Sequence, residues 1–373
     1  MTRLSFEKLT ELRLLLEVEG IGPGKFRNLL ARFKSTDRIL SAEYKSLIEV
    51  EGISNNLAQR IRRINSQRIE IEKLILKEQE KLDKLKASIV TVWDQEYPDV
   101  LKKIYDPPLL LYTIGKPDEK DVYSISVVGT RQPTNYGKIQ TERITTDLVH
   151  QGITIVSGLA RGIDSIAHSC VLKEKGRTIA VIGSGLDVIY PPENKKLFQE
   201  IAEKGLIISE YPIGTKPDAQ NFPKRNRIIS GLSLGTIVIE SGVSGGATQT
   251  ASFALDQGKE IFAVPGNLGI RQSEGTNLLI QKGEAGLIRC AEDVLQSLEL
   301  KLKPVLGKNI PKKVEGLTLF EEKIITLLTS EPLQIDKIAS LTQMNTSECL
   351  VHLLSLEFKG MVKQLPGKMF AAL

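Results

Sequence analysis

From Ile89 onward the chain alternates short, continuous apolar runs with longer stretches of helical periodicity. The runs are Ile89–Trp93, Ile125–Val128, Ile153–Val156, Thr178–Ile182, Leu206–Ile208, Thr236–Ile239 and Glu260–Val264. Nearly all end in Gly, Ser, Glu or Pro. Runs this short, with no polar residue at every second position, are expected to be buried on both faces. They predict strands of a parallel sheet covered by helices on each side. The expected fold is therefore α/β, a Rossmann-like, doubly wound, mostly parallel sheet. In such sheets ligands bind outside the carboxyl ends of the strands. Function is expected in the residues that follow each run.

The ends of the chain read differently. Residues 1–87 predict an all-α domain. Glu17-Val18-Glu19-Gly20-Ile21 recurs 32 residues later as Glu49-Val50-Glu51-Gly52-Ile53. Each copy sits between apolar helical stretches, giving helix, glycine turn, helix. Gly20, Gly22 and Gly24 leave backbone N–H groups open to a phosphate at a helix start, so the first copy resembles a helix-hairpin-helix motif and is a secondary candidate for DNA contact. The second copy lacks two of these glycines. The plainer reading is a pair of αα-hairpins packing a small domain. Residues 66–87 predict one charged helix with a solvated face. Residues 301–316 hold Pro304, Gly307, Pro311 and five lysines and read as a linker. Residues 317–373 predict three helices and then a hairpin, Met361–Leu365 and Lys368–Ala372, the order of a winged helix.

Composition narrows the chemistry. No apolar run approaches the 18 residues of a membrane span, and the first residues lack the apolar core of a signal peptide. Cysteine and histidine number three each, too few and too scattered for a metal site or a disulfide framework. A reducing cytoplasm is the expected location. Residues 1–87 carry 18 Lys and Arg against 13 Asp and Glu, a net of +5, whereas residues 88–300 carry 22 against 25, a net of −3. Binding of a polyanion by the middle region therefore needs a local cluster.

The strand ends supply one. Gly129-Thr130-Arg131, Ser157-Gly158 with Arg161, and Gly245-Gly246 each place small residues or a cation after a predicted strand, where free N–H groups favour an anion. Phe222-Pro223-Lys224-Arg225-Asn226-Arg227 adds three cations, an amide and an aromatic ring suited to stacking on a base. As a turn leading into the sixth run, these cations are expected to meet phosphate. Two plainer readings stand beside this one: a solvated turn, or an arginine paired inside the fold with Glu210 or Glu240. No P-loop and no G-x-G-x-x-G occurs, so neither ATP hydrolysis nor dinucleotide binding is supported. Asp164 and His168 lie four apart on one helix face, and capping or packing is favoured over acid–base chemistry. No catalytic residue, metal or cofactor is expected.

Residues 91–295 resemble the DprA/Smf family of DNA-processing proteins. The matching pieces run in family order: Tyr97-Pro98, Asp106-Pro107-Pro108, Val127–Arg131, Val156–Asp164, Ala167-His168, Gly185-Leu186-Asp187, Tyr190-Pro191, Ser209-Glu210, Arg225–Ile229, Thr250-Ala251, Ala263–Gly266, Ser273 and Gly275-Thr276-Asn277. The resemblance implies a non-catalytic, homodimeric mediator of recombination that binds single-stranded DNA, protects incoming strands in natural transformation and loads RecA onto them. Two departures stand out. Thr248 and Gln249 are polar where the family is apolar. The third helix of the winged-helix segment, beginning at Thr346, has no cation before Lys359, which suits protein contact or weak DNA contact. The competing reading is an enzyme of similar fold, a nucleoside-monophosphate phosphoribohydrolase with P-G-G-x-G-T-x-x-E. Here Ala251 and Phe253 stand where its catalytic carboxylate would fall.

Overall fold

The structure is a computed structural model that describes residues 5–298, 319–328, 332–342, 344–358, 361–365 and 369–372. It divides into two compact units, Met1–Leu306 and Gly307–Leu373. The expected linker, 301–316, and the predicted Pro366-Gly367 turn lie outside the described residues, as does Lys359.

The first unit opens with helices α1 (Phe6–Glu17), α2 (Pro23–Phe33), α3 (Thr36–Leu40), α4 (Tyr44–Ile48), α5 (Asn55–Ile64) and α6 (Arg68–Leu85). The internal repeat is a repeat of geometry. Gly20 and Gly52 take positive φ, 99° and 82°, a region only glycine enters freely. Each turn then closes with the same 3.0 Å backbone bond, Ile21 N–H to the Val18 carbonyl and Ile53 N–H to the Val50 carbonyl.

Nine strands follow: β1 (Ala87–Thr91), β2 (Leu110–Gly115), β3 (Ser124–Val128), β4 (Thr154–Ser157), β5 (Thr178–Ile182), β6 (Leu206–Ser209), β7 (Gly235–Val238), β8 (Glu260–Ala263) and β9 (Gly286–Leu287). They form one sheet in the order β1-β2-β6-β5-β4-β3-β7-β8-β9. The intervening helices are α7 (Asp99–Lys102), α8 (Asn135–His150), α9 (Ile163–Lys173), α10 (Lys195–Lys204), α11 (Asn221–Leu232), α12 (Gly246–Asp256), α13 (Arg271–Gln281) and α14 (Ala291–Ser297). From β6 to β9 every pairing is parallel. The chain winds outward from β3 through β4 and β5 to β6, then returns to lay β7 on the other flank of β3. This reversal is the topological switch point.

Strand side chains alternate between two apolar clusters, which is why the runs are continuous. Ile125, Val127, Ile155 and Ile237 face one side, and Val128, Val156 and Val238 face the other. The sheet is mostly parallel, as expected, and its antiparallel flank comes from β2, absent from the predicted runs, which pairs with both β1 and β6. One point differs from expectation. The segment Phe222–Gly231 lies in α11, a helix and not a turn.

The helical segment and the sheet are not separately cored. One cluster runs from Leu12, Phe26, Leu29 and Ile61 through Ile75 and Leu82 to Tyr112, Ile182, Phe198 and Ile207. The charge on α6 is mostly solvated, as expected, with one exception. Glu78 is buried, bonded to Arg13 at 3.0 Å and to the Ile213 N–H at 3.2 Å, and Arg13 in turn bonds to the Tyr112 hydroxyl.

In the second unit, helices Leu319–Leu328, Ile335–Thr342 and Thr346–Phe358 pack on a three-stranded sheet, Leu333–Gln334, Met369–Ala372 and Val362–Leu365 in spatial order. The core is Ile324, Ile338, Leu353, Leu356 and Phe370. This is a winged helix, with a short first strand that the sequence pattern did not mark.

Candidate nucleic-acid interface

At the switch point the loops after β3 and β7 separate and leave a cleft of about 820 Å³. Gly129, Thr130, Arg131, Arg161, Phe222, Arg225, Asn226, Gly245 and Gly246 all line it. So do Tyr190, Gln132, Ser241, Gly242, Gln249 and Thr250, which the strand-end reading did not single out as contacts.

Each wall is held by bonds that the sequence makes locally or across the sheet. The Thr130 N–H donates to the Glu240 carbonyl at 2.7 Å, tying the β3 loop to the β7 loop. The Glu240 carboxylate accepts from the Thr134 N–H at 2.9 Å and the Thr134 hydroxyl at 2.5 Å, fixing the start of α8. Asp164, in the first turn of α9, accepts from the Gly158 N–H at 3.1 Å and holds the loop after β4. His168 is buried, with its Nδ1 2.7 Å from the Thr178 hydroxyl. Both side chains bond within the fold, as the capping and packing reading expects. Burial pushes the Asp164 carboxyl up, opposed by Arg225 and the loop amides. Burial first, and Arg225 second, pull the His168 imidazole down to about 3, so it is neutral at physiological pH.

Arg225 is the floor. It is only 4% exposed. Its guanidinium donates to the Gly158 carbonyl at 2.6 Å and to the Val181 carbonyl, joining the ends of β4 and β5. A side-chain carbon at Gly158 would stand 2.6 Å from that guanidinium, so glycine there is a requirement of close approach. Burial pulls Arg225 down to about 10, which leaves it cationic at neutral pH. Its Nε has no hydrogen-bond partner among the described residues.

Arg131 is an exposed cation of the cleft. Its guanidinium lies 5.5 Å from the centre of the Phe222 ring, and that ring lies 5.6 Å from Tyr190. Arg161 is paired with Glu193, and both are about half exposed, so the pair is screened and opens at small cost. Asn226 donates to the Gly246 carbonyl at 3.2 Å, joining α11 to the start of α12. Thr248 returns its hydroxyl to the Gly245 carbonyl at 2.6 Å. Its polarity serves the loop, and Gln249 is the polar departure that faces the cleft.

Several expected contacts are placed elsewhere. Arg227 is 7% exposed and bonds to Asp106 at 2.9 Å and Glu210 at 2.7 Å. Two residues on from Arg225, it projects from another side of the helix, and its charge is paired with carboxylates of the fold. The fully buried Ser157 hydroxyl donates to the Val127 carbonyl at 2.7 Å, which makes it a tie between strands. Lys224 is exposed on the first turn of α11 but does not line the cleft. Gly20, Gly22 and Gly24 lie on the first hairpin, away from the cleft, and Gly22 and Gly24 face open space.

Residues 88–299, which hold all but the first residue of the nine-stranded sheet and the whole of this cleft, match the family model for DNA recombination-mediator protein A. The chain belongs to that family. Residues 311–368 match the DprA winged helix domain and residues 12–63 a SAM-like helix-hairpin-helix tandem. Protein Smf of Synechocystis is 36% identical, with 94% of this chain and 95% of that protein covered. DNA processing protein DprA of Bacillus subtilis is 45% identical over 56% of this chain and 70% of its own length. Among solved structures, DprA of Streptococcus pneumoniae superposes with a TM-score of 0.64 at 32% identity, covering 79% of this chain and 98% of that one. DNA processing protein A of Helicobacter pylori, described for its single-stranded DNA binding mode, gives 0.52 at 34% identity, covering 58% and 97%.

Proposed function

We propose that the chain binds single-stranded DNA in the switch-point cleft and acts as a recombination mediator by binding, without catalysis. The observation that carries this reading is the pairing of an exposed cation with an aromatic face, Arg131 over Phe222, above a buried cation, Arg225, with Gly245-Gly246 opening α12 beside them. A guanidinium and free helix-start N–H groups suit phosphate, and Phe222 and Tyr190 suit an unpaired base. None of these contacts reads a base edge, so binding is indifferent to sequence. Arg161 and Lys224 extend the cationic path, and the first hairpin at Gly20, Gly22 and Gly24 adds a weaker backbone contact. Membership of the family supports the rest of the reading: protection of incoming strands in natural transformation, loading of RecA, a homodimer, and a cytoplasmic site of action.

The test is anisotropy or gel shift with labelled single and double strands at two salt concentrations. Single strands should bind tighter, with a salt slope of roughly −0.7 per phosphate neutralised. Equal affinity for a duplex sinks the reading. Incubation with nucleoside monophosphates should release no base, and release would favour the phosphoribohydrolase alternative.

A further inference from the structure

A second surface of the first unit joins exposed rings and cations. Trp93, the chain's single tryptophan, follows β1 and is 47% exposed. Its ring lies 6.3 Å from Phe26 on α2. The next residue, Arg27, sets its guanidinium 5.8 Å from the centre of the Tyr105 ring and donates to the Tyr105 carbonyl. Tyr105 is 82% exposed. Lys102 and Lys103, both exposed, lie at the end of α7 just before it. The nearby carboxylates are mostly engaged: Asp99 with Lys102 at 2.9 Å, Asp106 with Arg227 at 2.9 Å, and Asp94 with the Thr91 N–H at 2.7 Å. Glu96 is exposed.

An isolated exposed ring needs no explanation. An exposed tryptophan beside α2, and a tyrosine under an arginine of the same helix with two lysines next to it, have the composition of a platform for unpaired bases. We infer that this surface is a second single-stranded DNA site, in which Trp93 and Tyr105 take bases and Arg27, Lys102 and Lys103 take phosphates. Charge favours a nucleic acid over a protein partner, because Arg27 and Lys103 are exposed and form no ion pair among the described residues, while Asp94, Asp99 and Asp106 are engaged. Exposed stacking faces favour a single strand over a duplex, whose bases are already stacked. The position also fits. Asp106, beside Tyr105, grips Arg227 of α11, and α11 starts at the cleft with Phe222, five residues or roughly 8 Å away along the helix. The inference rests on the cleft reading for the place where a bound strand begins.

The experiment titrates the full chain with an oligothymidylate of about five nucleotides, enough for the cleft, and one of about thirty. Labelled-strand anisotropy and Trp93 emission are followed together. The long strand should quench Trp93 with the same midpoint as the anisotropy. Tyr105→Ser should weaken the long strand about five- to tenfold, the effect of losing one stacked base, and leave the short one unchanged. The high exposure of Tyr105 keeps this variant folded, and Arg27→Gln is the second variant, with the same expected pattern. Binding with silent Trp93 emission overturns the platform alone, as does equal quenching by a duplex or full long-strand affinity in Tyr105→Ser. Failure of both strands to bind overturns the cleft reading and the platform with it.

Discussion

Arg131 of the cleft and Arg227 of α11 have opposite duties, and substitution should separate them. Arg131→Ala should lose about 1.5–3 kcal/mol of single-strand affinity, the range for a hydrogen bond to a charged group, and flatten the salt slope by roughly 0.7. Anisotropy at several salt concentrations reads both. Arg227→Ala should behave differently. It strands Glu210 and Asp106, and should cost about 3 kcal/mol of stability, the low end for a broken buried pair because Asp106 is partly open to water. Denaturant titration should show that loss, while the folded fraction keeps the wild-type salt slope. His168 sets a pH limit. Its imidazole, held down to about 3 in the fold, titrates near 6.5 when unfolded. The unfolded chain thus binds the extra proton, so the contribution is fully present above pH 6.5 and is lost as pH falls through that window, at about 1.4 kcal/mol per unit. Between pH 7 and 5 the wild type should lose about 2 kcal/mol more than His168→Gln in denaturant titrations.

Among the elements, the loops at the strand ends stand or fall together. Gly158→Val would drive a side chain into the Arg225 guanidinium and free the Val181 and Gly158 carbonyls it joins. The variant should fold less stably and bind single strands at least tenfold more weakly, measured on material that passes a circular dichroism check. Retained affinity would mean that the floor of the cleft is irrelevant to binding. These loops were legible in the sequence because parallel strands fix where small residues and cations must converge. The fate of individual side chains was not. Dense charge at Lys224–Arg227 reads as exposure, yet Arg225 finds its partners 67 and 44 residues away, and no local pattern announces such distant acceptors. The place of strand β2 was hidden for a related reason. Leu109-Leu110-Leu111-Tyr112 carries the same continuous apolar pattern as the other strands, but its antiparallel place is set by its neighbours β1 and β6. The buried Arg13–Glu78 pair was equally invisible in a helix whose remaining charges face water.

At the scale of the molecule, the second unit should be dispensable for the cleft. Deleting residues 307–373 should leave single-strand affinity within a few-fold of the full chain, because every cleft residue lies in the first unit and the helix Thr346–Phe358 carries no Lys or Arg. A loss beyond a hundredfold in anisotropy would move the principal site to the winged helix. The shared core of the first unit bears on synthesis. The two hairpins leave the ribosome before the sheet, but the cluster that buries Leu12, Phe26 and Ile61 is not complete until Phe198 and Ile207 have joined it. At the usual pace of elongation, about 5–20 residues per second, the hairpins wait on the order of ten seconds with one apolar face uncovered. That face is the segment a chaperone would meet on the nascent chain, and stalling translation before residue 207 should leave it open to protease.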